Sequence, residues 1–181
     1  MSEHARHAHH HGQSEGHSHG HAPGGDIEAS LARAAATCLA RGAQLTELRR
    51  QVLRLILESA QPVGAYALLD RLRGERRGAA PPTVYRALDF LIEQGLIHKI
   101  ERLNAFVGCA EEPGHGHTHA HPHPHQFLIC GRCGSTAEVC DDAVAGAVAA
   151  AAARLGFQVH RTTVEVEGIC AQCVPGKSTP G

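Results

Sequence analysis

Aromatic residues are scarce in this chain of 181 residues, which has no tryptophan and only 3% aromatic residues in all. Its core must therefore be aliphatic, built from Leu, Val, Ile and Ala. Long apolar runs are lacking too: none approaches the roughly 18 residues that a membrane-spanning helix needs, and no segment resembles a secretory signal. We therefore expect a cytoplasmic protein with no membrane partner, in a compartment that keeps thiols reduced.

Excess charge of either sign is also missing, because the formal net charge is only −1. The two halves of the chain nevertheless differ in charge. Residues 41–102 contain 11 Lys and Arg against 7 Asp and Glu, whereas residues 105–174 contain 3 against 7. A basic first half and an acidic second half predict that only the first half contacts nucleic acid.

Histidine, in contrast, is abundant, with 16 residues in the chain. Residues 1–25 hold eight of them among Gly, Ser and Ala without apolar periodicity, so we predict a disordered tail there and another at residues 175–181. A zinc-scavenging role and a plain solvated segment both fit the first tail. The run "PGHGHTHAHPHPH" at residues 113–125 predicts a histidine-rich loop.

Apolar periodicity predicts four helices in residues 26–104. The first starts at Ile27, the second is capped by Thr46, the third covers residues 64–73, and the fourth, "TVYRALDFLIEQG", is closed by Gly95. The next segment, "LIHKIERLNAFVGC", predicts two short strands. Helices followed by a hairpin are typical of a winged helix-turn-helix domain.

The second half predicts a small α/β unit over residues 111–174. Its strand candidates are "QFLIC", "TAEVC" and "FQVHRTTVEVEGIC", and "DDAVAGAVAAAAARLG" is an Ala-rich helix candidate. Val164 and Val166 alternate with glutamates, and an edge strand with an exposed apolar face would favour dimerisation. The predicted fold class is therefore α+β, a winged helix-turn-helix followed by a small α/β dimerisation domain.

The strongest chemical signal is a set of four cysteines in two Cys-x-x-Cys pairs. Two thiolate pairs in tight turns suit a tetrahedral structural zinc, since four thiolates leave no open position for catalysis. Redox-active pairs would need a thioredoxin-like context, which this sequence does not provide. The four predicted ligands are Cys130, Cys133, Cys170 and Cys173.

The fourth helix predicts a nucleic-acid contact. Val84, Ala87, Leu88 and Leu91 share its apolar stripe, and Arg86 lies on the opposite face. Side chains in the first turns of a recognition helix reach base edges in the major groove. Periodicity alone does not separate this role from that of an ordinary solvated helix face.

The segments "PPTVYRALDFLIEQGLIHKI", "CGRCG" and "GICAQC" together resemble the ferric uptake regulator (Fur) family, most closely its zinc uptake regulator branch. The resemblance covers about residues 27–174. It implies a homodimeric, metal-dependent transcriptional repressor of inverted-repeat operators in double-stranded DNA, not an enzyme and without a small-molecule substrate. It further implies a winged helix over residues 26–104, a hinge over 105–110 and a dimerisation domain over 111–174. The implied DNA contacts are Thr83, Tyr85 and Arg86.

The resemblance also implies a regulatory metal site at the hinge, formed by His98, Cys109, Glu138 and a histidine of the loop. His123 matches best by its spacing from Cys130, and His125 is the alternative. A thiolate among nitrogen and oxygen ligands favours zinc over iron or manganese. Each subunit would then hold one structural and one regulatory Zn²⁺.

The leading hypothesis is therefore a zinc-responsive repressor of zinc-uptake genes. One alternative is a regulator of the same family that responds to iron, nickel or manganese. Another, from a different functional class, is a histidine-rich zinc buffer or metallochaperone, although a buffer needs no winged helix. A zinc hydrolase is disfavoured, since the sequence has no HExxH motif.

Overall fold

A computed structural model describes residues 26–75, 80–109, 125–160 and 162–174 of the chain. Both predicted tails and the predicted loop up to residue 124 lie outside the described residues. The elements, in chain order, are α1 (Ile27–Ala40), α2 (Glu47–Leu57), β1 (Val63–Gly64), α3 (Ala65–Glu75), α4 (Pro81–Glu93), β2 (Ile97–Ile100), β3 (Ala105–Gly108), β4 (His125–Cys130), β5 (Thr136–Val139), α5 (Asp142–Arg154) and β6 (Thr163–Gly168).

The first four helices and the β2–β3 hairpin form a winged helix-turn-helix, as the sequence predicts. Strand β3 lies between β1 and β2 in a three-stranded antiparallel sheet. We call the hairpin the wing, and its connecting residues 101–104 the wing turn. Strand β1 was not predicted from the sequence, whereas β2 and β3 lie in the segment for which two short strands were predicted.

An aliphatic core holds the four helices together, as the shortage of aromatic residues requires. Leu31 of α1, Leu68 and Leu72 of α3, and Leu91 of α4 are each fully buried. Cys38, also at 0% exposure, lies on the buried face of α1, where a small apolar side chain fits. The remaining buried members of this core include Val52, Leu53, Leu55, Ile56, Val84, Ala87 and Leu88.

The helix ends follow the local signals of the sequence in most places. The side chain of Asp26 caps α1 by accepting a hydrogen bond from the backbone N of Ala29 at 3.1 Å. Thr46 occupies the N-cap position of α2, as predicted, but its side chain makes no capping hydrogen bond. Helix α4 starts at Pro81, earlier than predicted, because proline suits the first helical turn.

The C-terminal unit is a second three-stranded sheet with the order β5–β4–β6, accompanied by α5. Strand β4 pairs antiparallel with β5 and parallel with β6. A parallel pair needs a crossover connection, and α5 lies in it. Strand β6 starts at Thr163, later than predicted, and Phe157 and Val159 in the connection are 72% and 47% exposed.

A second apolar cluster joins the wing to the C-terminal sheet. Ile100 of β2 is buried against Phe127 and Ile129 of β4, and Val107 of β3 packs against them. The wing therefore lies on one face of the second sheet. No helix among the described residues is long and apolar enough to cross a membrane.

Candidate metal centres and DNA-reading helix

The topology of the second sheet brings the two Cys-x-x-Cys pairs together. Cys130 ends β4, and its register partner on the parallel strand β6 is Gly168, two residues before Cys170. Parallel strands end at the same edge of a sheet, so both cysteine turns leave from one edge. A backbone hydrogen bond from N of Gly131 to O of Gly168 (2.9 Å) ties the two turns.

The four sulfur atoms lie within 4.8 Å of one another. The Sγ atoms of Cys133 and Cys170 are 3.7 Å apart. Tetrahedral zinc with bonds of about 2.3 Å places its sulfurs about 3.8 Å apart. The donor set therefore fits one Zn²⁺, and no disulfide links any of the seven cysteines, all of which lie within the described residues.

The local electrostatics of this cluster favour the thiolate at Cys130 and Cys133 but not at Cys173. The backbone N of Cys170, 3.4 Å from the sulfur, and the amides of Cys133 and Arg132 lower the pKa of Cys130 to about 6. The Ser135 hydroxyl lowers the pKa of Cys133. Hydrogen bonds with the sulfurs of Cys133 and then Cys170 raise the pKa of Cys173 to about 12. Four sulfurs this close ionise together only when a cation neutralises them.

A second cluster links the wing to the C-terminal sheet. His98 of β2, His125 of β4 and Glu138 of β5 bring their ligand atoms within 4.8 Å of one another. Oε1 of Glu138 lies 3.0 Å from Nδ1 of His125 and 3.5 Å from Nε2 of His98. The two imidazole rings have centroids 3.7 Å apart. The side chains of His98 and Glu138 are only 6% and 7% exposed, so the cluster is largely withdrawn from water.

Sheet register explains why these residues meet. Glu138 pairs with Phe127, and His125, two residues before Phe127 on the same strand, shares its face of the sheet. His98 lies on the strand of the wing that packs against this face. Two imidazoles and a carboxylate form a donor set that suits zinc.

The other two predicted ligands of the regulatory site, Cys109 and His123, are not part of this cluster. Cys109 follows β3 directly, and its backbone N donates to O of Leu96 at 3.1 Å, which places it diagonally across the ladder from His98. Its sulfur is not among the atoms of the 4.8 Å cluster. His123 lies outside the described residues. Cys109 and His123 therefore stay predictions, and the structure brings the alternative ligand His125 to the site.

Helix α4 carries the predicted DNA contacts on its outer face. Val84, Ala87, Leu88 and Leu91 face the core. Thr83, Tyr85 and Arg86 are all exposed, on the opposite side of the first two turns. The guanidinium of Arg49 on α2 lies 3.5 Å above the ring of Phe90 and fixes the later part of the helix. An exposed aromatic, a hydroxyl and a guanidinium can contact phosphates and base edges.

Comparison with known proteins identifies relatives over most of the chain. Residues 40–167 match the ferric uptake regulator family. The zinc uptake regulation protein of Escherichia coli (strain K12) is 42% identical over 146 residues, which cover 80% of this chain and 81% of that protein. The zinc uptake regulation protein of Mycobacterium tuberculosis (strain ATCC 25618 / H37Rv) is 30% identical over 137 residues, covering 74% of this chain and 97% of that protein.

Solved structures give the same result. The structure of a zinc uptake regulator complexed with zinc and DNA is similar with a TM-score of 0.73 and 40% identity, covering 83% of this chain and 96% of that one. The crystal structure of holo XcZur is similar with a TM-score of 0.69 and 45% identity, covering 80% and 96%.

Proposed function

The chain belongs to the ferric uptake regulator family, and we propose that it is a zinc-responsive transcriptional repressor that binds the operators of zinc-uptake genes as a zinc-loaded homodimer. The observation that carries this proposal is the cluster of His98, His125 and Glu138, which joins the DNA-binding unit to the second sheet. Members of this family are transcription regulators and not enzymes, so we assign this chain a regulatory function. The proteins that support zinc as the signal are the relatives named for zinc uptake.

The winged helix would bind DNA through α4. Thr83, Tyr85 and Arg86 are exposed on its first two turns, where a recognition helix meets the major groove. The positive charge of residues 41–102 supports attraction to phosphates, and the acidic second half would stay away from DNA. A repressor of this kind would act in the cytoplasm, where its operators would be.

Cys130, Cys133, Cys170 and Cys173 would hold the structural zinc. When bound, the ion would neutralise four thiolates and join the ends of β4 and β6. We assign one such ion to each subunit. Because the site has four sulfur ligands and no open position, its role is to hold the fold of the second sheet.

A regulatory zinc would bind at His98, His125 and Glu138, with Cys109 as the fourth ligand. His98 lies in the wing, Cys109 directly follows it, and His125 and Glu138 lie in the second sheet. Shared coordination would therefore fix the winged helix relative to the second sheet. Moving a conformational equilibrium from mostly off to mostly on requires roughly 5.5 kcal/mol of differential affinity, and coordination of one zinc can supply that. We assign one regulatory ion to each subunit.

The homodimer is supported by apolar surface on the C-terminal unit. None of the residues of α5 is buried, although the helix is rich in alanine and valine. Leu128, Leu155 and Val166 are 50%, 77% and 48% exposed. A surface of this kind is typical of a protein–protein interface, and a second copy of the unit would cover it.

A regulator that responds to another metal would need a different set of ligands at the regulatory site. Iron and manganese favour harder ligand sets, and the proposed thiolate of Cys109 argues against them. A histidine-rich zinc buffer is the alternative outside this functional class. Selective, zinc-dependent binding to operator DNA would exclude the buffer as the main function.

The decisive experiment is operator binding at controlled free zinc. Fluorescence anisotropy with a labelled zinc-uptake promoter fragment should show binding that increases with free zinc, and not with iron, nickel or manganese. The Arg86→Ala variant should lose binding with its zinc content intact. Arg33→Ala, which removes the same charge from the exposed surface of α1, is the matched control and should bind like the wild type. Equal binding by the wild type at every zinc level would contradict the proposal.

A further inference from the structure

The wing turn makes direct polar contacts with β6 that the proposed metal switch does not involve. Glu165 of β6 accepts two hydrogen bonds from the backbone of this turn. The N of Glu101 donates to its Oε1 at 2.7 Å, and the N of Arg102 donates to its Oε2 at 3.0 Å. Hydrogen bonds from backbone amides to an ionised carboxylate are stronger than neutral ones, and two on one carboxylate fix its orientation.

A second carboxylate of the same strand reinforces this contact. Glu167 forms an ion pair with the guanidinium of Arg102. The pairing lowers the pKa of Glu167 and raises that of Arg102. Their side chains are 44% and 55% exposed, so this ion pair contributes less than the two hydrogen bonds of Glu165.

The register of the second sheet places both carboxylates toward the wing. Glu165 is the partner of Phe127 and Glu167 is the partner of Ile129 in the parallel β4–β6 ladder. Phe127 and Ile129 are the residues that bury Ile100 of the wing. The polar contacts therefore lie at the border of an apolar one, on a single face of the sheet.

We propose that Glu165 and Glu167 are positioning residues that latch the wing turn onto β6 and hold the winged helix in its DNA-binding arrangement. The proposal rests on the DNA-binding function proposed above. None of the latch atoms belongs to a residue of either metal cluster. The latch therefore contributes to domain positioning separately from zinc, and zinc adds to an orientation that the protein already favours.

The latch and simple electrostatics predict opposite changes in DNA affinity when one of these carboxylates is removed. Removing a carboxylate lowers the negative charge of the protein, which by itself strengthens DNA binding. Loss of the latch instead reduces the fraction of protein in the binding arrangement, and the apparent affinity falls with that fraction. A weaker complex after removal of a negative charge therefore indicates the latch.

The test compares Glu165→Ala with Glu101→Ala in the full-length, zinc-loaded protein. The Glu101 carboxylate pairs with Lys99 on the wing itself at 2.6 Å, so this control removes the same charge from the turn that Glu165 contacts. Three quantities are measured: hydrogen exchange at the amides of residues 101 and 102, affinity for operator DNA, and zinc per subunit. Glu165→Gln, which keeps one acceptor oxygen, replaces Glu165→Ala if that variant fails to fold.

We expect Glu165→Ala to speed amide exchange in the wing turn and to lower operator affinity about tenfold, with zinc content unchanged. Glu101→Ala should not lower the affinity. Unchanged exchange in Glu165→Ala overturns the latch, and faster exchange with undiminished affinity overturns its positioning role. If the wild type binds no operator at any zinc level, the DNA-binding function and the positioning role both fail, while the exchange data still decide whether the contact exists.

Discussion

The Nδ1 atom of His125 lies 3.0 Å from the Oε1 atom of Glu138, across the β4–β5 ladder of the second sheet. Spacing along the chain favours His123 as the loop ligand, whereas sheet register favours His125. His125 starts β4 and shares a face with Phe127, the partner of Glu138. Its position is therefore set by backbone hydrogen bonds and not by the length of the loop before it.

We predict that His125→Ala weakens binding of the regulatory zinc at least roughly tenfold, as loss of a coordinating group should. His123→Ala is the matched control, with the same side chain removed two residues earlier. Competition with a calibrated chelator, after the structural zinc has been counted, measures the affinity of each variant. A loss in the His123 variant alone would instead assign the loop histidine ligand to His123.

Much of the fold follows from local sequence patterns. The apolar periods of α1 to α4 and the stop at Gly95 predicted the winged helix, and its similarity to known regulators confirms that fold. The two-residue strand β1 was missed because it is too short to show alternation. The start of β6 was placed too early because Phe157 and Val159 alternate like strand residues, although both are exposed.

The candidate sites were less predictable, because they depend on which strands are neighbours. The spacing of the cysteines predicted two turns but not that β4 and β6 are parallel partners, which sets the 3.7 Å approach of Cys133 and Cys170. The contacts of Glu165 and Glu167 with the wing turn were not predicted at all. Their alternation with valines was visible, yet only the register shows that they face the wing.

The cysteine cluster predicts a separable structural zinc. Cys133→Ser should lose about one zinc per subunit and lower the midpoint of thermal unfolding, because the ends of β4 and β6 are no longer joined. Metal analysis and calorimetry measure the two effects. Cys38→Ala removes a buried thiol from α1 and is the control, expected to keep its zinc and to lose about 1 kcal/mol of unfolding free energy. Full zinc content in Cys133→Ser would contradict the site.

The lowered pKa of Cys130 predicts the pH behaviour of the zinc-free protein. A folded-state pKa of about 6 against an ordinary value of 9.0 means that the thiolate stabilises the fold above the ordinary pKa. This contribution is lost progressively as the pH falls from 9.0 through about 6.

A pH titration of ultraviolet thiolate absorbance should therefore show an ionisation near pH 6 in the zinc-free wild type. The Cys130→Ser variant should lack that step, and Cys38→Ala should retain it, because burial raises the pKa of Cys38. An onset of thiolate absorbance only near the ordinary value in the wild type would show that the amides around Cys130 do not act on its sulfur.

Two glycines predict opposite stability changes for the same substitution. Gly95 ends α4 with a φ of +68°, and the following backbone N, of Leu96, donates to O of Leu91 at 2.9 Å. Gly74 lies in α3 without a positive φ, and a Cβ at either position would meet no atom within 4 Å. The two glycines therefore have the same free space around a Cβ and differ only in backbone conformation.

Gly95→Ala should cost about 1 kcal/mol of unfolding free energy, because an alanine in the left-handed region is strained. Gly74→Ala should gain roughly 0.5 kcal/mol, because alanine loses less backbone entropy in a helix. Urea unfolding of the zinc-loaded proteins measures both. Gly95→Asn should recover part of the loss, since asparagine tolerates positive φ, as Asn104 does in the wing turn at +46°. A stabilising Gly95→Ala would mean that α4 ends differently, and would change how the chain enters β2 and positions His98.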